Sequence, residues 1–275
     1  MKNNNEHFSG IKPFDIMIKY IDIDATSPEN VFDSHIHEEC EIYINISGNV
    51  SFIVENNIYP VVPGSIIITR PFEYHHCVYH SNERHKHFWI LFSCLGNEHL
   101  FDIFFKRKAG EKNLIMLPAD KTEDLIDVCH KMTEESTSET EKYFRFFKLL
   151  TLLNDADIIS HIDTSYPNDI VHAINYINNN LSDNISVSEL AKKLSVSVNT
   201  LERHFMQMLN ISPSSYIRKK RLANAVKLLS QGCTVTEASE KSGFTDYSKF
   251  ISLFKKTYGM TPLKYKKSLS SSAPL

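Results

Sequence analysis

Short runs rich in Ile, Val, Phe and Tyr, separated by turn residues, dominate the chain from about residue 14 to residue 118. Apolar runs of this kind, bounded by turn residues, predict β-strands. A hairpin with a tight turn at Asn56-Asn57 is expected, because Asn tolerates a positive φ. Many short strands with few helices between them predict a barrel or a sandwich. The predicted strands are Ile42–Ile46, Val50–Glu55, Ser65–Thr69 and His87–Phe92.

The apolar period changes to that of a helix from about residue 121. Leu125, Val128, Cys129 and Met132 stand at i, i+3, i+4 and i+7, which predicts one amphipathic helix. Residues 141–153 are too uniformly apolar for a helix with one solvated side. Such a helix is either enclosed within one subunit or shared with a second subunit. We favour the second interpretation, which makes the protein a homodimer.

One helix-turn-helix pattern occurs twice in the last hundred or so residues, at Ile185–Phe205 and at Thr234–Phe254. Each copy begins with Ser or Thr followed three residues later by Glu, which predicts a capping box on a short helix. Ser197 and Asp246 are suitable N-caps for the second helix of each copy. The short helices are expected at about 187–194 and 235–242. A duplicated unit of this kind indicates a sequence-specific DNA-binding protein.

The second helix of each copy is expected to pack one face inward and to present the other to the DNA major groove. The first copy presents Arg, which binds guanine through two hydrogen bonds, and Asn, which does the same for adenine. The second copy carries weaker base readers and is expected to rely more on backbone and shape contacts. The predicted inward residues are Val198, Leu201, Phe205, Tyr247, Phe250 and Phe254. The predicted outward residues are Asn199, Thr200, Glu202, Arg203, Tyr247, Ser248, Lys249 and Ser252. The phosphate-binding candidates are Arg218, Lys219, Lys220, Arg221, Lys255, Lys256, Lys264, Lys266 and Lys267.

Ser212-Pro213 and Thr261-Pro262 each place proline at the first position of a helix, and the first pair opens a long helix that ends at about Leu229. The fold class is therefore α+β with two domains. We expect a β-barrel at 1–118, a helical dimerisation pair at 119–156, a linker at 157–168 and an all-helical DNA-binding domain at 169–268.

The net charge of −3 conceals a division between the two halves. Residues 166–275 hold 15 Lys and Arg against 7 Asp and Glu, whereas residues 1–165 hold 15 against 26. The basic half can approach phosphate and the acidic half is repelled by it, which favours a sensing domain held away from DNA. The five cysteines form no C-x-x-C pair, and neither a signal peptide nor a membrane span is evident, so a cytoplasmic protein is expected.

The segment Phe32–Glu41 carries the second group of chemistry-bearing residues. On a strand, His35, His37 and Glu41 share one parity and face the same side. With His75 they suit either a divalent transition metal or a metal-free polar pocket, and we favour a pocket for an organic ligand. Arg70, Tyr43 and Trp89 are further candidates for its lining, with Glu73 and Tyr59 beside them, although Trp89 also suits simple core packing. The alternative for the histidine cluster at 75–76, 80, 85 and 87, His75 included, is a position on loop and strand surfaces, and we favour this alternative for the histidines other than His75.

The C-terminal part resembles the AraC/XylS family of transcription regulators over about residues 168–267. Besides the two motifs, the resemblance rests on R-L-x-x-A-x-x-L-L at Arg221–Leu229, G-F-x-D-x-S-x-F-x-x-x-F-K at Gly243–Lys255 and Y-G-M-T-P-x-x-Y at Tyr258–Tyr265. It implies two recognition helices in successive major-groove turns of promoter DNA. Ser252 departs from the basic residue frequent at that position in the family. His35, His37, Glu41 and Gly48 are similar to the first cupin motif, H-x-H-x3-E-x6-G.

The resemblance implies a regulator, an activator in contact with RNA polymerase, controlled by a small molecule such as a sugar in the N-terminal barrel. No cofactor and no catalytic residue is expected. Two alternatives stay open at this point: a metal-dependent cupin enzyme fused to a DNA-binding module, and a ligand-independent regulator whose barrel is an assembly platform.

Overall fold

The computed structural model describes residues 7–11, 15–24, 36–80, 83–94, 98–154, 156–158 and 166–271. The chain divides into two compact units, residues 1–164 and 165–275. The first is rich in β-sheet and the second is helical, so the predicted α+β class with two domains is confirmed. None of the helices within these ranges is long and apolar enough to cross a membrane.

The first unit contains two antiparallel sheets. Seven strands pair in the order β1-β2-β8-β3-β6-β9-β10, and three pair in the order β5-β4-β7. The described strands are β1 His7–Ile11, β2 Ile16–Asp24, β3 Cys40–Ser47, β4 Val50–Val54, β5 Asn57–Val61, β6 Ser65–Thr69, β7 His75–Tyr79, β8 Arg84–Phe92, β9 Leu114–Met116 and β10 Asp157–Ile158.

One face of the seven-stranded sheet is covered by helices, and the other faces the three-stranded sheet. The helices of this unit are α1 Asp102–Phe105, α2 Ala119–Thr133 and α3 Glu139–Asn154. Alternation along β8 explains the layering, because Phe88, Ile90 and Phe92 pack under the helices while the residues between them point the other way. Leu125, Val128, Cys129 and Met132 of α2 are all fully buried in this core, as their spacing predicts.

Helix α3 buries Phe146, Leu149, Leu150 and Leu153 against the same core. Its outer side carries Phe144 and Phe147, which are 66% and 38% exposed. The helix is therefore not enclosed within its own unit, and the first of the two interpretations of residues 141–153 is wrong. The second interpretation, in which α3 contacts another subunit, stays a prediction.

Two local predictions in the first unit are wrong for reasons that lie outside the local sequence. The hairpin turn is at Glu55-Asn56, because Val54 pairs with Asn57 and Glu55 adopts a φ of 50°. Tertiary contacts hold Glu55 there: its N–H donates to the Tyr74 carbonyl and its carboxylate accepts from the Tyr74 N–H, each at 2.9 Å. Asp157 and Ile158, expected in the linker, pair with β9.

The second unit consists of seven helices within its described residues. They are α4 Asn168–Asn179, α5 Val187–Lys193, α6 Val198–Leu209, α7 Pro213–Ser230, α8 Val235–Lys241, α9 Tyr247–Tyr258 and α10 Pro262–Ser271. The predicted N-caps Ser197 and Asp246 accept from the N–H groups of Thr200 and Lys249. The long helix predicted after Ser212-Pro213 is α7.

Of the two predicted capping boxes, the one that begins α8 is complete and the one that begins α5 is only half formed. At Thr234 the box is complete, because Glu237 accepts from the Thr234 N–H at 2.7 Å and Thr234 Oγ1 accepts from the Glu237 N–H at 3.2 Å. At Ser186 the hydroxyl accepts from the Glu189 N–H, whereas the Glu189 carboxylate accepts from the Ser186 hydroxyl at 2.9 Å. Both arrangements satisfy donors at the helix start and fix where the helix begins.

Candidate functional site

Helix α6 is amphipathic and its outer face is open. Leu201, Phe205 and Leu209 are fully buried, which sets the rotation of the helix on its domain. The predicted inward position of Val198 is wrong: this side chain is 37% exposed, because it lies in the first turn beyond the reach of the core. The outward residues are Asn199, Thr200, Glu202 and Arg203, of which Thr200 is half-buried and the others are exposed.

A polar contact fixes α6 to α4. His204 Nδ1 lies 2.7 Å from Asp169 Oδ2, and His204 Nε2 lies 3.5 Å from an Arg203 guanidinium nitrogen. The Arg203 side chain therefore starts from a helix held both by core packing and by this hydrogen bond. A donor presented from a rigid element is what readout of a base edge requires.

Helix α9 repeats this arrangement with different chemistry. Phe250 and Phe254 are fully buried, and Tyr247, Ser248, Lys249 and Ser252 are exposed. Tyr247 was predicted both in the core and on the outer face. The first prediction is wrong and the second holds for its location, since Tyr247 is 48% exposed. Lys249 Nζ lies 3.4 Å from the carboxylate of the N-cap Asp246.

Of the nine phosphate-binding candidates, Lys264 and Lys267 are exposed and Lys219 is half-buried, and the other six fall into two groups. Arg218, Lys255 and Lys256 are exposed, as a phosphate contact requires, with Arg218 also donating to the Ser215 hydroxyl. Three other candidates are wrong because their side chains are buried or bonded within the domain. Lys220 is 3% exposed. Arg221 donates to the Leu181 and Asp183 carbonyls, and Lys266 donates to the Gly232 and Cys233 carbonyls.

A cavity of about 350 Å³ lies between the two sheets of the first unit. Its walls are largely apolar and aromatic, with a few polar groups, which is the usual character of a small-molecule pocket. It is lined by Ile21, His37, Glu41, Tyr43, Phe52, His75, Cys77, Tyr79, His87, Trp89 and Leu91. Of the predicted ligand-binding residues, the structure brings together His37, Glu41, Tyr43, His75 and Trp89, whereas His35 lies outside the described residues.

His37, Glu41 and His75 form a cluster on the cavity wall. Glu41 Oε2 lies 3.1 Å from His37 Nε2 and 3.2 Å from His75 Nε2. Glu41 is on β3 and His75 begins β7, so the cluster joins the two sheets, while His37 precedes β3 and is not on a strand as its parity suggested. Glu41 and His75 are buried, and His37 is half-buried.

Two further histidines are buried near this cavity, and the prediction that they lie on the surface is wrong. Burial lowers the pKa of His85 to about 4 and that of His87 to about 3, so both rings are neutral at pH 7. His85 Nε2 lies 2.6 Å from the Tyr43 hydroxyl, and burial raises the pKa of Tyr43 well above 10. The signal in the sequence was the alternation of 85, 87 and 89 with the apolar 88, 90 and 92.

Arg70, Glu73 and Tyr59 are not among the residues that line the cavity. Glu73 forms a two-pronged buried ion pair with Arg107, at 2.8 and 2.7 Å, and the Arg70 side chain donates to the Arg107 carbonyl. Burial alone would raise the pKa of the Glu73 carboxyl, but hydrogen bonds and charge from Arg107 outweigh it and lower that pKa. The Tyr59 hydroxyl donates to Gly110, so these residues anchor the loop before β9.

The C-terminal residues 190–268 match a family described as a helix-turn-helix domain, and residues 21–99 match an AraC-like ligand-binding domain. The transcriptional activator RhaS of Mannheimia succiniciproducens is 24% identical over 87% of this chain and 91% of its own length. RhaS of Escherichia coli is 22% identical over 87% of this chain and 89% of its own length.

The regulator YdeC of Bacillus subtilis is 36% identical over 34% of this chain and 33% of its own length. Among solved structures, ToxT from Vibrio cholerae covers 92% of this chain and 99% of its own at 17% identity, with a TM-score of 0.37. The two domain matches lie on the cavity-bearing unit and on the double helix-turn-helix unit, and the RhaS relatives align across both. The chain belongs to the AraC/XylS family of transcription regulators, with an N-terminal AraC-like ligand-binding domain.

Proposed function

We propose that this protein is a sequence-specific, cytoplasmic activator of transcription, and not an enzyme, whose DNA binding is controlled by a small molecule in the cavity between the two sheets. The observation that carries the proposal is the pair of capped, core-anchored helices with exposed outer faces on a unit of net positive charge. The cavity supplies a place for the small molecule that would control DNA binding.

In the first helix-turn-helix, Arg203 and Asn199 are the proposed base readers, since both are exposed in the first half of α6. In the second, Tyr247, Ser248 and Ser252 present short or aromatic side chains, so α9 is expected to contribute less base discrimination. Arg218, Lys255 and Lys256 are the proposed phosphate contacts, together with the exposed ammonium group of Lys249.

The proposed effector is a sugar or a related metabolite. Trp89, Tyr43 and Phe52 offer flat faces for the apolar side of such a molecule, and Glu41 with the neighbouring imidazoles offers hydrogen bonds. Control requires that the effector bind one state of the protein more tightly than another, since a ligand with equal affinity for both shifts nothing. We further propose that the outer side of α3, with Phe144 and Phe147, forms a homodimer interface and that the activated protein contacts RNA polymerase.

The test is a selection of bound DNA from a random pool, followed by titration of the recovered sequence by fluorescence anisotropy with and without a panel of sugars. One recovered motif with two half-sites about one helical turn apart supports two reading helices. Recovery of no motif, with equal affinity for every duplex, would refute sequence-specific binding. A sugar that changes the affinity identifies the signal, and turnover of that sugar by the protein would instead favour the enzyme.

A further inference from the structure

Three side chains of metal-binding types, two imidazoles and one carboxylate, meet on the cavity wall. The nitrogen and oxygen donors of His37, Glu41 and His75 all lie within 4.8 Å of one another. We propose that these three residues bind one divalent transition-metal ion. The proposal goes beyond the control of transcription, because metal binding requires neither DNA nor an effector.

The hydrogen bonds of the two rings decide which nitrogen carries the proton. His37 Nδ1 lies 3.1 Å from the Glu39 carbonyl oxygen, and His75 Nδ1 lies 2.8 Å from the Glu73 carbonyl oxygen. A carbonyl oxygen only accepts, so each Nδ1 must be the N–H donor. In the neutral ring the other nitrogen, Nε2, then carries a lone pair.

Both of these lone pairs point at one carboxylate oxygen. Glu41 Oε2 is 3.1 Å from His37 Nε2 and 3.2 Å from His75 Nε2, so acceptors face an acceptor at hydrogen-bond distance. That arrangement is repulsive unless a positive charge lies among the three atoms. A metal ion satisfies all three at once, and Nδ1–H bonds to backbone carbonyls are the usual way in which a protein orients histidine ligands.

The distances suit a single ion. Two ligands that lie 2.0–2.1 Å from one tetrahedral ion are about 3.3 Å apart, which is close to both Glu41–histidine distances. Two imidazoles and one carboxylate are a donor set preferred by Zn²⁺ and by neighbouring divalent transition metals. All three residues also line the cavity, so the remaining coordination position faces the space proposed for the effector.

The competing account is that protons provide the positive charge. It leaves the three side chains as a hydrogen-bonded cluster on the cavity wall, with Glu41 between the two rings. The two accounts differ in stoichiometric metal uptake, which protons do not produce.

The experiment uses the full chain without a purification tag, stripped with EDTA and dialysed against Zn²⁺, with bound metal measured by mass spectrometry. The expected result is one ion per chain. His75→Gln and Glu41→Gln should each weaken binding by at least about 10–100-fold, the range known for residues one contact further from a metal. His99→Gln, an exposed histidine of the same unit, is the matched control and should bind as the wild type does.

A second measurement needs only the wild-type chain, so it decides the matter if the variants fail to fold. Cu²⁺ bound at one equivalent should show electron paramagnetic resonance splitting from two imidazole nitrogens. No bound ion in the wild type, an unchanged affinity in His75→Gln, or a Cu²⁺ spectrum without nitrogen splitting would each overturn the proposal. DNA binding measured on the same samples reports separately on the proposed regulator.

Discussion

Replacing Gly243 with alanine tests how the turn of the second helix-turn-helix is built. Gly243 has a φ of +80°, and a Cβ added there would lie 2.1 Å from the Leu181 carbonyl oxygen and 2.9 Å from Arg221 Nε. Arg221 Nε donates to that same carbonyl at 3.1 Å. An added methyl group must therefore move the backbone of residue 181 or break this hydrogen bond.

The expected loss is the sum of three effects. A left-handed conformation costs a non-glycine residue roughly 1–2 kcal/mol. Overpacking typically adds about 1–3 kcal/mol, and a lost hydrogen bond about 0.5–1.5 kcal/mol. Alanine also restricts the unfolded chain, which offsets roughly 0.4–1 kcal/mol of this loss, so Gly243→Ala should lower the free energy of unfolding by about 1.5–6 kcal/mol.

Gly232→Ala is the matched control, because Gly232 has a φ of +91° and a Cβ there would meet nothing within 4 Å. It should lose only the conformational part of roughly 1–2 kcal/mol, less the same offset from the restricted unfolded chain, which leaves at most about 1.5 kcal/mol. Ser195 stands at the corresponding turn of the first copy with a φ of 57°. Ser195→Gly should therefore leave stability unchanged or raise it slightly, since relief of the left-handed backbone offsets the greater freedom of glycine when unfolded.

The assay is urea unfolding of the full chain followed by two signals. Far-ultraviolet circular dichroism reports mainly on the helical second unit, and fluorescence of the single tryptophan, Trp89, reports on the first. The dichroism midpoint should fall in Gly243→Ala while the fluorescence midpoint stays in place. Equal losses in Gly243→Ala and Gly232→Ala would refute the argument that the approach of Leu181 requires glycine at this turn.

Four other predictions concern binding, assembly and acid stability. Arg203→Ala should weaken binding to the cognate site by about 1–3 kcal/mol and relax specificity at one base pair, whereas Lys256→Ala should weaken binding to all duplexes alike. An equal loss of affinity of Arg203→Ala for cognate and random DNA would show that Arg203 contacts phosphate. DNA affinity should fall steeply with salt, and a flat response would contradict the proposed phosphate contacts of the basic second unit. Phe147→Glu should give folded monomers by light scattering while Lys121→Glu, an exposed change on α2, leaves the dimer intact; a dimer in both would exclude this face of α3. Burial lowers the pKa of His87 from 6.5 to about 3, so the unfolded chain binds a proton at a higher pH than the folded chain does. The contribution of neutral His87 to the stability of the first unit should therefore be complete above about pH 6.5 and decline as the pH falls towards 3. His87→Phe should flatten that decline in tryptophan fluorescence, and an unchanged slope would assign it to other groups.

The helical half was largely predictable because its signals are local. Ser197 and Asp246 cap their helices as their residue types predict, and Leu201 and Phe250 are buried as the helical period predicts. Errors arose at helix starts, where Val198 and Tyr247 have the right period but lie beyond the core. Lys220 and Arg221 were misplaced because a charge on a helix does not reveal whether a neighbouring carbonyl receives it.

The cavity was predictable only in part, because it depends on contacts between distant segments. Glu41 and Tyr43 follow from strand parity. Arg70 could not be excluded from the sequence, since its partner Arg107 is 37 residues away. The surface position expected for His87 is wrong because the uninterrupted apolar run Phe88–Phe92 that follows it already indicates a strand buried on both faces.

Alternate residues of strand β8 face two different parts of the first unit, the cavity and the helix layer. His87, Trp89 and Leu91 face the cavity, while Phe88, Ile90 and Phe92 support the helix layer, with the Phe92 ring centred 5.0 Å from that of Phe146 on α3. Substitutions at the odd positions alter what the cavity admits and leave the seat of α3 in place. Single amino-acid changes at the odd positions of this strand can therefore change which molecules the cavity admits, while the packing of the helix layer is inherited intact.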